Sequence, residues 1–155
     1  MINELHCDSK GLEIPVVSQI KGELFMGNDI APVACLVNII NESRQNAIRK
    51  VNEELINMYW KVGEFLSKES EQAAFGDAYI DNIVKGIQEA FPGIKGFNRS
   101  GLYRMKKFYE TYKDNKFVSP LVTQISWTNH LLIMSGCKSA EEREFYIRLS
   151  IKEIG

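Results

Sequence analysis

The sequence predicts a mainly α-helical bundle with a helix-turn-helix-like centre. Three observations predict it. Apolar residues recur at steps of three and four along most of the chain beyond Ala34, Pro92 and Gly93 separate one such run from the next, and a helix-start signal with dense positive charge follows that turn. At 155 residues the chain can hold one substantial core, and two independent cores would be a tight fit. A composition of 45% hydrophobic and 25% charged residues is that of an ordinary globular domain. No apolar run approaches the ~20 residues of a membrane span. The amino-terminal MINELHCDSKGLEIP lacks the basic-then-apolar order of a secretory leader, and Cys7, Cys35 and Cys137 are odd in number and widely spaced. Both features predict a cytoplasmic protein with reduced thiols.

Residues 1–30 form the first division, an arm or small hairpin, and residues 31–155 the second, a helical domain. In the first, the apolar pieces Leu12–Val17 and Leu24–Met26 are too short for periodicity to separate strand from loop. Asn28 or Asp29 offers a cap for the next helix, whose first turn tolerates Pro32. From Ala34 to Lys68 the residues Val37, Ile40, Ile48, Val51, Leu55, Tyr59, Val62 and Leu66 trace one face of a long helix, to be covered by other helices or by another subunit. Arg44 interrupts this stripe, and Trp60 broadens it near its end. Glu42, Gln45, Asn46, Lys50, Glu53, Glu54, Lys61 and Glu64 form a solvated opposite side, with coiled-coil pairing as the sharper alternative.

A second helix spans Asp77–Phe91, with Tyr79, Ile80, Ile83, Val84, Ile87 and Phe91 inward, and Pro92 and Gly93 end it. Asn98 or Ser100 caps the third, whose apolar side is Leu102, Met105, Phe108, Tyr109 and Tyr112. The β-branched piece Phe117–Ile125 leaves room for a short strand or wing. A fourth helix covers Trp127–Met134, capped by Ser126 or Thr128. The capping-box pair Ser139 and Glu142 starts a last helix through about Glu153, with Phe145, Tyr146, Leu149 and Ile151 as its apolar residues.

The segment Pro92–Lys116 carries seven cations against two carboxylates, a net charge of +5 in a chain whose total is -1. Arg99, Lys106 and Lys107 lie away from the centre of the apolar side, around Tyr103, and Arg104 lies on its flank. Such a helix after a turn can be buried on one side and meet a polyanion on another. The residues alone leave three roles open: nucleic-acid contact, ordinary exposed surface and protein contact. No catalytic residue, metal ligand or cofactor site emerges. His130 sits in the apolar context WTNHLLIM as a packed side chain, no serine has an activating base, and the glycines form neither a phosphate loop nor a dinucleotide fingerprint.

Four segments, MYWKVGEFL (Met58–Leu66), FNRSGLYRMKKFYETY (Phe97–Tyr112), ISWTNHLLIM (Ile125–Met134) and EEREFYIRLSIKE (Glu141–Glu153), resemble in order and spacing the amino-terminal domain of the YhcG-like bacterial proteins. The resemblance covers Leu36 to the end. It implies a largely helical module which, in longer relatives, precedes a restriction-endonuclease-like nuclease domain, and which binds double-stranded DNA or organises a homo-oligomer. It makes Arg99, Tyr103, Arg104, Lys106 and Lys107 the candidate DNA contacts, and matches Trp127, Thr128, Asn129 and His130 to a second signature whose role could equally be packing. The residues present stop where the family's nuclease would begin. The implied role is therefore binding or targeting without catalysis.

Overall fold

The computed structural model describes residues 30–154. The arm or hairpin assigned to residues 1–30, and the caps offered by Asn28 and Asp29, lie outside these apart from Ile30. Five α-helices follow in order: α1 (Ile30–Glu69), α2 (Asp77–Ala90), α3 (Arg99–Tyr112), α4 (Trp127–Gly136) and α5 (Ala140–Ile154), with a 3-10 helix at Ser119–Gln124 between α3 and α4. The described residues contain no strand, as a mainly helical bundle requires. They fall into two units that divide after Ile48. In the first, the opening half of α1, Leu36, Ile39, Ile40 and Ile48 are exposed. The second, from Arg49 onward, carries the bundle.

Two hydrophobic clusters hold that bundle together. One gathers Ile56, Phe108, Tyr112, Val118, Val122, Ile125, Ile133, Met134 and Ile147, drawn from α1, α3, α4, α5 and the segment before α4. The other gathers Leu66, Ile80, Phe97, Leu102 and Met105. Helix α3 feeds both, its Leu102 and Met105 turned to one and its Phe108 and Tyr112 to the other. Tyr59 of α1 and Trp127 of α4 pack against each other between them, tilted by 42° with ring centroids 4.7 Å apart.

The helix ends follow the capping chemistry of the sequence. Asn98 Oδ1 accepts from the Gly101 amide at 2.7 Å, and Ser126 Oγ from the Asn129 amide at 3.3 Å. Ser139 Oγ accepts from the Glu142 amide at 3.1 Å, while the Glu142 carboxylate reaches back to the Lys138 amide at 2.9 Å, one residue before the capping-box position. The turn from α2 to α3 uses Gly93 and Gly96 at φ 79° and 85°, in the left-handed region. Gln88 of α2 closes that turn, its Nε2 donating to the Ile94 carbonyl at 3.2 Å.

Several assignments are corrected. The apolar stripe of α1 does reach the core through Tyr59, Val62 and Leu66, but Val51 is 61% and Leu55 41% exposed. The core side is set instead by Ile56, Gly63 and Leu66, because Gly63 packs against the α3 backbone so closely that a Cβ there would run into the Met105 carbonyl, 2.8 Å from its carbon. That contact fixes the rotation of α1. Asn52 on the same side pins the helix to the segment before α4, its Nδ2 donating to the Thr123 and Ile125 carbonyls at 3.2 and 3.0 Å.

The strand or wing allowed at Phe117–Ile125 is the 3-10 helix. Pro120 sits in its first turn, and Asn115 Oδ1 accepts from the Phe117 and Val118 amides just before it, so the chain is already turning where a strand would need to extend. Phe91 lies beyond the end of α2 and is exposed. In α5, Phe145, Tyr146 and Leu149 are exposed, and Ile147 is the residue wholly buried. Cys137 is a free thiol.

Candidate nucleic-acid interface

The five candidate residues lie on α3 but divide between two faces. Arg99, Tyr103 and Lys106 share one stripe at helical spacing, and Arg104 and Lys107 stand about a quarter turn around the axis. The first stripe is engaged within the chain. Arg99 Nε donates to Asp81 Oδ1 at 2.8 Å, a second guanidinium nitrogen pairs with the other oxygen of the same carboxylate, and Asp77 stands 3.6 Å away. This bidentate contact holds the Asp81 carboxyl below its ordinary range and raises the Arg99 guanidinium further. Tyr103 Oη donates to Asp77 Oδ1 at 2.8 Å, and that hydrogen bond, with burial second, raises the phenol.

Lys106 is drawn inward as well. Its side chain is only 19% exposed, Nζ lies 2.8 Å from Glu110 Oε1, and the same nitrogen stands 5.8 Å from the centre of the Phe75 ring. Burial alone would push the Glu110 carboxyl up, but hydrogen bonds from Lys106 and from Ser67 Oγ at 3.0 Å outweigh it and hold the group low. Arg99 and Tyr103 therefore fasten α3 to α2, while Lys106 pairs along α3 itself. Their charge is compensated at home.

Arg104 and Lys107 differ. Both are exposed, and among the described residues no carboxylate pairs with either. With Leu131, Met134 and Ser135 of α4 they line an open cleft of about 330 Å³. Two exposed cations above an apolar floor can grip an anion and cover the less polar portion of what carries it. The sequence pattern did not single out the α4 residues, since Leu131 and Met134 have the spacing of ordinary core and only the packing of α4 on α3 shows them bordering the cleft.

Two of the four residues of the second signature, Trp127 and His130, pack in the core. Trp127 packs against Phe108 at 5.3 Å between ring centres, and His130 is wholly buried beside Phe108 at 4.8 Å, with Nε2 2.6 Å from the Val122 carbonyl oxygen. Among the described residues no three His, Cys, Asp or Glu side chains gather as metal ligands, and no helix is long and apolar enough to cross a membrane.

Fold and site together define an all-helical domain with an exposed, uncompensated cationic pair on its central helix. The chain belongs to the family of the DUF1016 N-terminal domain, whose model matches residues 35–154. Neither a curated relative nor a solved structure of significant similarity was found.

Proposed function

We propose that this domain is a non-catalytic module that binds or targets double-stranded DNA within a nuclease-associated protein, with Arg104 and Lys107 on α3 as its phosphate contacts. The observation that carries this reading is their uncompensated exposure. These two cations keep their full field toward solvent, while Arg99 and Lys106 are spent on Asp81 and Glu110. Supporting it is the position of α3, the second helix across a glycine turn, which is the element that helix-turn-helix proteins place against the duplex. Arg99 and Tyr103 then act as positioning residues, tying α3 to α2 through Asp81 and Asp77.

Binding of a labelled duplex, followed by fluorescence anisotropy over a series of salt concentrations, tests the proposal. The domain binds at low salt, and changing Arg104 and Lys107 together to Gln lowers the affinity and flattens the log–log salt dependence by about 2, one ion released per lost phosphate contact. No binding at low salt, or a double variant that binds as tightly as the parent, overturns it. The alternative role, organising a homo-oligomer, rests on a different surface, on α1.

A further inference from the structure

Helix α1 presents an apolar seam that its own bundle covers only at Val62, one side of which packs against the core. Val51 is 61% exposed, Leu55 41%, Met58 36% and Phe65 56%, and half-buried Val62 lies between the last two. The steps from Val51 are four, three, four and three, the alternation that keeps a stripe on one side of a helix and forms the seam of a coiled coil. It lies beside the face built from Asn52, Ile56, Gly63 and Leu66, which is committed to the core. Contiguous apolar surface of this kind marks an interaction site.

The charges beside the seam identify its occupant. Between Lys50 and Lys68 four charges pair along the helix, Lys50 with Glu53 and Lys68 with Glu64. Glu54 and Lys61 are left without an ion-pair partner among the described residues. Both are exposed on the flank of the seam opposite the core, two helical turns or about 10 Å apart along the axis, too far to pair with each other. When the helix is laid antiparallel on a copy of itself so that Leu55 meets the partner's Met58 and Val51 the partner's Val62, Glu54 falls beside the partner's Lys61. Two-fold symmetry repeats the pair. A parallel pairing would set these charges opposite the Tyr59 and Leu66 positions, which the core already occupies.

We propose that the α1 seam is the interface of an antiparallel homodimer, centred between Leu55 and Met58 and set in register by two Glu54–Lys61 ion pairs. A second copy of this chain is the one occupant that supplies both the matching apolar spacing and the opposite charge at each end of it. The proposal is independent of DNA binding.

Sedimentation velocity of the full chain without nucleic acid, from low micromolar to submillimolar concentration, provides the test. A reversible monomer–dimer equilibrium appears, and either Glu54→Lys or Lys61→Glu alone weakens it about tenfold, because two exposed pairs turn from attraction to repulsion. The double variant E54K/K61E restores the dimer. Leu55→Glu with Met58→Glu leaves a monomer whose helical circular dichroism matches that of the parent. A parent chain that stays monomeric throughout overturns the proposal, as when another segment or a different protein covers the seam. A dimer indifferent to the single reversals, or not rescued by the double variant, overturns the stated register.

Discussion

His130 Nε2 lies 2.6 Å from the Val122 carbonyl oxygen, while its other ring nitrogen, Nδ1, is buried without a hydrogen-bond partner. The neutral tautomer with hydrogen on Nε2 satisfies this site. A second proton on Nδ1 would enter a space walled by Phe108, Tyr112 and Trp127 with no acceptor. Burial accordingly pushes the imidazole down to about 4, against the smaller upward pull of the Val122 carbonyl.

The sign of the resulting pH dependence follows. Unfolded, the imidazole takes up a proton near pH 6.5, and folded it does so only near 4, so between these values the unfolded chain binds more protons. Stability therefore falls as pH drops from about 6.5 to about 4, by roughly 3 kcal/mol in total from this group. Urea unfolding across that range shows the decline in the parent chain. His130→Gln, which keeps a donor for Val122 without the titration, removes most of it. The carboxyls of Asp81 and Glu110, held below their ordinary values of 3.8 and 4.5, add losses that begin toward the acid end of this range and continue below it.

Gly63 and Gly86 give opposite outcomes for one substitution. Gly63→Ala forces α1 away from the Met105 carbonyl and from Tyr109, and lowers stability by about 3 kcal/mol. Gly86 lies inside α2 with open space where a Cβ would stand, so Gly86→Ala stabilises by about 0.5–1 kcal/mol through the lower backbone entropy of the unfolded chain. Thermal and denaturant unfolding of the two variants measures both effects.

Tyr112 buries its hydroxyl without a partner, and burial pushes the phenol up to about 12. Tyr112→Phe keeps the ring that packs on Phe108 at 5.6 Å and on His130. Removing the unsatisfied oxygen leaves stability unchanged or raises it by about 1 kcal/mol, read as a shift of the urea midpoint at constant slope.

Changing Arg99 and Lys106 together to Gln removes as much formal charge as changing Arg104 and Lys107. Duplex binding separates the two variants: the first keeps the parent's salt slope with a small loss of affinity, and the second loses both. Equal loss in the two would mean that the field of the helix, rather than the exposed pair, makes the contact.

The helices are legible in the sequence because their signals are local. Asn98, Ser126 and Ser139 cap the helices they precede, and of the apolar steps of α3 all but half-buried Tyr109 are buried. Which neighbour each apolar or charged face meets is not a local property. The Asp77 and Asp81 partners of Arg99 sit on another helix, roughly 20 residues earlier, and no spacing within α3 announces them. The Lys106–Glu110 pair, four residues apart on α3, was the one pairing of these cations that sequence spacing could have revealed. On α1 the periodic pattern merged two adjacent apolar faces into one stripe. The close seat of Gly63 against Met105 and the hydrogen bonds of Asn52 separate the face that turns inward from the one left open.

Because α3 supplies side chains to both clusters, opening either one strips contacts from this helix. Amide protons at the middle of α3, around Met105 to Phe108, should exchange with deuterium only when the whole bundle comes apart, and so should be the slowest to do so. The central helix thus makes local breathing a property of the edges. A duplex gripped by Arg104 and Lys107 would rest on the portion of the bundle that yields last.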